Sequence, residues 1–351
     1  MKRFSILILT LCLCLTGCGK QTTEATAQIF AMDTVMEVAA YGPKAEEAVQ
    51  EAEGQIKALE NKLSRTKADS DVSRVNHNGT TPTTGLTYGT RALLPAALEY
   101  RDATNGAFDI TIAPVMDAWG FTGDSFRVPE RSELDELLKH VNSDEIQIQE
   151  EPAHSVTLGE GQAIDLGGIA KGYTSDLVEQ TFRANGIESG KISLGGNVFV
   201  LGGKPDGSDW RVGIKDPRNE SGLAAILSLR DAYAITSGGY ERYFEENGKT
   251  YHHIIDPSTG YPADSGLLSV TVVAADNGPD WAGAGNGAMC DAFSTALFVM
   301  GEEQALDFWR NGGYDFDLVL VTEDGRVVIT AGLADRFEEV KDSGYTYETV
   351  S

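Results

Sequence analysis

Along the chain, the spacing of apolar side chains switches between the short period of strands and the three-to-four period of helices. Residues 29–41 are rich in strand formers. In 43–63, Val49, Ala52, Ile56, Leu59 and Leu63 recur at threes and fours, which marks one apolar face of an amphipathic helix. Helices are also predicted over 88–104, closed by Asn105-Gly106, over 131–140, and from Ile169 to Ala184, where Asn185-Gly186 ends the run. Short strands are expected at 145–149 and 155–159. From Lys191 the pattern is mostly β, with strands at 191–201, 210–216, 224–236, 251–255 and 267–275. Two helices, 290–300 and 302–311, precede a final hairpin of 316–323 and 326–331 that turns at Asp324-Gly325. Strands and helices mix without a regular βαβ alternation, no repeat is visible, and no Pro-, Gly- or Ser-rich linker interrupts the middle. The expected fold is therefore α+β in one compact domain.

The first seventeen residues follow another rule. Lys2 and Arg3 precede an apolar run from Phe4 to Leu15, and Leu15-Thr16-Gly17-Cys18 follows. That run is too short to cross roughly 30 Å of hydrocarbon as a helix, and its order is that of a signal peptide. Small residues followed by Cys resemble a bacterial lipobox. Cys18 would then be the lipidated first residue, anchoring the domain on the extracytoplasmic face of the cell membrane; the plainer reading is a secretory signal with a chance Cys. Residues 18–27 are small and polar and read as a tether, with the domain expected over 28–351. Cys12 and Cys14 leave with the signal, so Cys290 stands alone in the domain and no disulfide framework is available. Stability has to come from a packed core.

Charge narrows the function. The formal net charge is −25, and Lys and Arg form no run or stripe, so nucleic acid is excluded as the natural partner. A free anionic substrate would be repelled unless a local positive element or a cation met it.

Two nucleotide signatures fail on inspection. Gly248-Lys249-Thr250 resembles the end of a P-loop, but that loop needs a Gly where this chain has Tyr243, so a hairpin turn is expected. Gly283-Ala284-Gly285-Asn286-Gly287-Ala288 is loosely like a dinucleotide fingerprint. It stands seven residues beyond the preceding strand, with too little chain after it for a dinucleotide fold.

Three segments carry more. Ile164-Asp165-Leu166-Gly167-Gly168-Ile169-Ala170-Lys171-Gly172 reads as a strand end, a Gly-Gly turn and a helix start. Its free amides favour an anion, and Lys171 in the first turn is opposed by the helix dipole unless something negative lies near. The alternative is a tight turn with Lys171 in solvent. Asp291 and Thr295, four apart on a predicted helix, share one face, an oxygen pair suited to a hard cation such as Mg²⁺; the alternative is a solvated face with Asp291 as a cap. In Tyr251-His252-His253-Ile254-Ile255-Asp256-Pro257, strand alternation sends His252 and His253 to opposite faces, so one is free to act as a general acid or base and the other to be structural; the alternative is a satisfied histidine with no catalytic part.

These segments occur in one order with Ala31-Met32-Asp33-Thr34, Asp69 to Asn76, Gly106 to Thr111, Trp119-Gly120-Phe121, Leu194 to Asn197, Thr236-Ser237-Gly238, His253 to Pro262 and Asp291 to Ala296. Together they resemble the ApbE family, the FAD:protein FMN transferases, over nearly the whole mature chain. The resemblance implies one α+β domain of mixed, mainly antiparallel sheets with flanking helices. It implies FAD as substrate, contacted by Met32, Ala107, Phe108, Asp109, Asp165, Lys171 and Ile255. It further implies Mg²⁺ held by the main-chain oxygen of Gly168 and the side chains of Asp291 and Thr295, with His253 as the catalytic candidate for proton transfer. The acceptor would be a threonine in flavin-bearing subunits of membrane redox complexes, within Asp-x-x-Ser/Thr-Gly-Ala-Ser/Thr. Departures from the family are Asp33 where Gly is frequent, Thr66 where an aromatic is frequent, and Asn277 to Ala288, which looks like a Gly-rich loop inserted at the rim of the site. The same residues would also serve a Mg²⁺-dependent FAD pyrophosphatase or, without turnover, a flavin-binding lipoprotein.

Overall fold

The structure, a computed structural model, describes residues 23–351 apart from 124, 150, 220 and 277–282. The signal sequence, Cys18 and the first part of the tether lie outside the described residues. The chain opens with β1 (Glu24–Ala31), β2 (Thr34–Tyr41), α1 (Ala45–Leu63), α2 (Asp71–Asn78), β3 (Thr80–Pro82), α3 (Tyr88–Ala103), α4 (Ala113–Trp119) and α5 (Arg131–Leu137). Next come β4 (Gln147–Gln149), β5 (Ser155–Thr157), α6 (Ala170–Ala184), β6 (Ser189–Leu194), β7 (Asn197–Leu201), β8 (Trp210–Lys215), β9 (Leu223–Leu229) and β10 (Ala232–Gly238). β11 (Tyr243–Glu246), β12 (Lys249–His252), β13 (Leu267–Ala275), α7 (Asn286–Asn311), β14 (Asp317–Thr322), β15 (Arg326–Thr330), β16 (Phe337–Glu339) and β17 (Thr346–Val350) complete it.

The fold is α+β around a nine-stranded sheet in the order β1-β2-β6-β7-β10-β13-β14-β15-β17. Its pairs are antiparallel except β15 with β17. Alternation along the central strands feeds two cores. Tyr233, Ile235, Val270, Val272, Leu318 and Leu320 pack under α1, α6 and α7. Ala232, Ala234, Val273, Val319 and Val321 face the small β16-β9-β8 sheet. A third cluster, Val115, Trp119, Phe121, Leu134 and Ile255 with the rings of Phe244 and Tyr251, forms a separate wall, which Trp119 Nε1 ties to the Gly260 carbonyl at 2.7 Å.

Helices α6 and α7 meet backbone to backbone. A Cβ on Gly172 would lie 2.1 Å from the Gly287 carbonyl oxygen, and one on Gly287 would lie 2.4 Å from the Gly172 oxygen. Each glycine stands four residues before an aspartate, and the aspartates cap the opposite helix. Asp176 accepts the N–H groups of Gly285 (3.0 Å), Gly287 (2.7 Å) and Ala288 (3.0 Å) at the start of α7. Asp291 Oδ2 accepts Gly172 N–H at 2.8 Å near the start of α6. Both carboxylates meet the positive end of a helix.

The structure corrects several expectations. Residues 29–41 form a hairpin, because Met32 and Asp33 both adopt left-handed backbone (φ 49° and 58°) with no glycine to announce the turn. The strand begins at Glu24, so Glu24 to Ala27, expected in the tether, pair with β2. The single strand expected at 191–201 folds back at Gly195-Gly196, and that at 224–236 divides at Asp231 (φ 45°) into strands of different sheets. The expected insertion is only partly loop. Residues 277–282 are outside the described set, whereas Asn286 to Ala288 form the first turn of α7, packed on α6. The break expected between 300 and 302 is present, with Gly301 at φ 78°, and Asn247-Gly248 turns the β11-β12 hairpin. Helices α2 and α4 and strands β11, β16 and β17 were not legible in the pattern.

The helix contact sets a stability prediction. Gly172→Ala should lower unfolding free energy by about 2–4 kcal/mol, by forcing the helices apart. Asp176→Ala should cost about 2–3 kcal/mol, by stranding buried N–H groups. Gly54→Ala, in the interior of α1 with nothing within 4 Å of the new methyl, should stabilise by about 0.5–1 kcal/mol. Urea unfolding of the three variants checks the ranking.

Candidate active site

A cleft of about 560 Å³ opens where the β1-β2 turn, the segment after α1, the loop before α4, the start of α6, the end of β10 and the segment after β12 converge. Met32, Ala107, Phe108, Asp109, Asp165, Gly168, Lys171, His253, Ile255, Asp291 and Thr295 all line it. Every site residue expected from the sequence, Cys18 apart, thus faces one space. A second cavity of about 460 Å³ on the other side of the β11-β12 hairpin takes His252 and holds none of the others.

One corner of the cleft collects oxygens. Asp291 is 4% exposed and, among the described residues, only its Oδ2 takes a protein hydrogen bond, so the alternative of a solvated face does not hold. By taking Gly172 N–H, Asp291 removes the donor that would close the first turn of α6 onto Gly168. Among the described residues the Gly168 carbonyl has no backbone partner as a result. Thr295 lies beside it, with Oγ1 3.6 Å from the position of a Cβ on Gly168, and the Phe108 ring fills the same space at 3.1 Å. A methyl at position 168 would press on the Phe108 ring and sit in ordinary contact with Thr295. A carbonyl, a carboxylate oxygen and a hydroxyl without saturating partners suit a hard divalent cation that completes its shell with water and phosphate. Among the described residues no group of three His, Cys, Asp or Glu side chains is placed to bind a metal.

Beside this corner the charge is positive. Lys171 reaches over the start of α6, with Nζ 3.5 Å from the Gly195 carbonyl. Arg65, not expected from the sequence, brings Nε to 3.1 Å from Asp165 Oδ2, an ion-pair distance without a well-aimed hydrogen bond, and its Nη2 donates to Thr122 Oγ1 (2.6 Å) and Asp117. Asp165 Oδ1 accepts Gly167 N–H at 2.7 Å and shapes the Gly-Gly turn. Asp109 is saturated: Oδ1 accepts Thr111 N–H (2.8 Å) and the Thr111 and Ser143 hydroxyls (both 2.5 Å), and Oδ2 accepts Ser143 N–H (3.2 Å). Its side chain fixes the loop that presents Phe108. Thr66 and Lys67 occupy the wall where an aromatic was expected, making that wall polar.

The two histidines separate as alternation required. His252 turns away, donating Nε2–H to the Ala263 carbonyl at 3.1 Å with its ring edge-on to Phe298. His253 faces the cleft, its Nδ1 3.1 Å from the Arg242 carbonyl. A carbonyl only accepts, so Nδ1 carries the proton and Nε2 is the free acceptor. Burial, with Lys171 and Arg242 adding to it, pushes His253 down to about 3 from 6.5. Arg242 was also missed by sequence reasoning. Its Nη1 donates to the Phe121 carbonyl at 2.8 Å and its Nη2 stands 3.3 Å from Asp33 Oδ2, so the left-handed Asp33 is tied to the cleft rim.

With this geometry in place, comparison with known proteins is informative. The profile of the ApbE family matches residues 32–318. A Klebsiella pneumoniae protein named FAD:protein FMN transferase is 34% identical over 294 residues, covering 83% of this chain and 86% of its own length. A Treponema pallidum protein of the same name is 31% identical over 366 residues, 99% of this chain and 98% of its own. The crystal structure of the ApbE protein from Thermotoga maritima superposes with a TM-score of 0.77 at 32% identity, covering 91% of this chain and 97% of that one. A profile match over most of the chain and relatives above 30% identity along nearly all of it establish that this chain belongs to the ApbE family.

Proposed function

We propose that this protein transfers the FMN half of FAD to a threonine hydroxyl of an acceptor protein, with Mg²⁺ at the pyrophosphate. The observation that carries the reading is the set of oxygens of Gly168, Asp291 and Thr295, left without saturating protein partners beside Lys171 in a chain whose relatives are named for that reaction. Bound Mg²⁺ would neutralise charge developing on the leaving phosphate. Lys171 and the start of α6 hold the pyrophosphate, Phe108 and Ile255 give apolar contact, and the walls exclude water. The acceptor oxygen forms a bond to the FMN phosphorus as the bond to AMP breaks, and the hydroxyl proton passes to His253 Nε2. Burial depresses His253 most, and binding a pyrophosphate against Lys171 and Arg242 would offset the smaller part that their charges add.

The acceptors fit flavin-bearing subunits of membrane redox complexes that carry the Asp-x-x-Ser/Thr-Gly-Ala-Ser/Thr motif. The anchor supporting that assignment is Cys18, six residues before Glu24, where β1 begins. No helix among the described residues is long and apolar enough to cross a membrane. Cys18→Ser should move the protein from the membrane fraction to the soluble extracytoplasmic fraction; continued membrane retention would count against the anchor.

The central test mixes the domain with FAD, Mg²⁺ and a purified acceptor domain and follows acceptor mass and AMP. One FMN gained per acceptor is expected, with a loss of at least about 100-fold on adding EDTA or in Asp291→Ala. AMP without labelling would establish a pyrophosphatase, and bound FAD without either product would establish a binding protein.

The buried His253 makes stability depend on pH. Its pKa is about 3 folded and 6.5 as the reference. Between those values the unfolded chain binds the extra proton, so this residue contributes a loss of stability as pH falls through that window. His253→Asn should therefore show a thermal midpoint that drops less than the parent's from pH 7 to pH 4, while turnover falls about 100-fold or more. Parallel midpoints in the two proteins would contradict the depressed pKa.

A further inference from the structure

Thr295 can serve a cation only if its hydroxyl hydrogen points away from the cleft. The surrounding hydroxyls decide which way it points. Ser237 Oγ, at the end of β10, lies 3.2 Å from Thr295 Oγ1 and 2.8 Å from Ser294 Oγ, and Ser294 Oγ lies 2.9 Å from the main-chain oxygen of Asp291. Ser294 is fully buried and has no access to the cleft, whereas Ser237 lines it.

Each hydroxyl owns one hydrogen, and a carbonyl owns none. If Ser294 donates to the Asp291 carbonyl, its oxygen accepts from Ser237. Ser237 has then spent its hydrogen and accepts from Thr295, and all three contacts are satisfied. Run in the other direction, Ser294 donates to Ser237, Ser237 donates to Thr295, and the Ser294 and Asp291 oxygens face each other at 2.9 Å with no hydrogen between them. That arrangement loses one buried hydrogen bond and sets two oxygens in repulsion. It also turns the Thr295 hydrogen toward the cleft.

We infer that Ser237 and Ser294 are positioning residues that form a one-way hydroxyl relay, from Thr295 through Ser237 and Ser294 to the Asp291 carbonyl, and so present only lone pairs of Thr295 to the metal. The relay starts and ends on the two side-chain-bearing residues of the cation corner, so the helix that supplies Asp291 also fixes the polarity of Thr295. This inference rests on the reading of that corner as a divalent-cation site.

The test uses Mn²⁺ alone, its binding to the intact protein followed by electron paramagnetic resonance, with the metal-free thermal midpoint measured in parallel. Ser294→Ala, which never touches the cleft, should weaken Mn²⁺ binding about 10- to 100-fold, the range for loss of an outer partner of a metal ligand. Ser237→Ala should do the same, and Ser237→Ala/Ser294→Ala should be no worse than Ser237→Ala, because a relay cut once has nothing more to lose. Thr295→Ser, which keeps the donor, should bind like the parent. Affinity of Ser294→Ala within twofold of the parent, or losses in the double variant that multiply, would overturn the relay. Should Ser294→Ala lose its fold, Ser237→Ala alone decides, and unchanged affinity there is equally fatal. Asp291→Ala separates the two ideas: if it binds Mn²⁺ as the parent does, or the parent binds none, the cation reading itself fails.

Discussion

Gly172 on α6 and Gly287 on α7 let two helix backbones touch, and an aspartate four residues beyond each glycine caps the opposite helix. Most other features of the site descend from this contact. It buries two carboxylates, which is costly unless they are met by donors, and the donors are the otherwise orphaned N–H groups at the two helix starts. Any separation of the helices would strand both sets at once. The cleft corner is therefore held by the same helix contact that closes the core beneath it.

The same contact has a chemical consequence. An α-helix normally closes its first turn by hydrogen bonds from each N–H to the carbonyl four residues back, and here Asp291 intercepts one of them. A structural cap thereby frees the Gly168 oxygen and aims the remaining Asp291 oxygen at the same space as Thr295. The Asp291 carboxylate at the Gly172 N–H lessens the conflict between the start of α6 and Lys171. Under the proposed function, Lys171, Arg65 and Arg242 would supply the local positive charge with which an acidic protein meets a pyrophosphate.

Asp33 shows how a departure from the family pattern is accommodated. A left-handed backbone favours glycine at that position, yet Asp is among the side chains that tolerate it best, and Arg242 meets its carboxylate. Arg242 also offers its carbonyl to His253 Nδ1, so one residue links the β1-β2 turn, the Phe121 loop and His253.

Some of this was determined by the sequence alone. The three-to-four spacing in α1, the α6 run ended by Asn185-Gly186 and the hairpin at Asp324-Gly325 are local patterns, and local patterns are what periodicity and turn chemistry report. The opposite facing of His252 and His253 followed from strand alternation, and the ordered motifs placed all the expected cleft residues in one space. Other features were decided only by tertiary structure. The Met32-Asp33 turn carries no glycine, so its backbone is imposed by the pairing of β1 with β2. The short α2 and α4 have too few residues to show a period. Arg65, Ser237 and Arg242 act through partners between about 50 and 210 positions away, a separation no local pattern encodes. The saturation of Asp109, the release of the Gly168 carbonyl and the direction of the hydroxyl relay depend on which donor reaches which acceptor. That is a property of packed distances, fixed when α7 settles on α6.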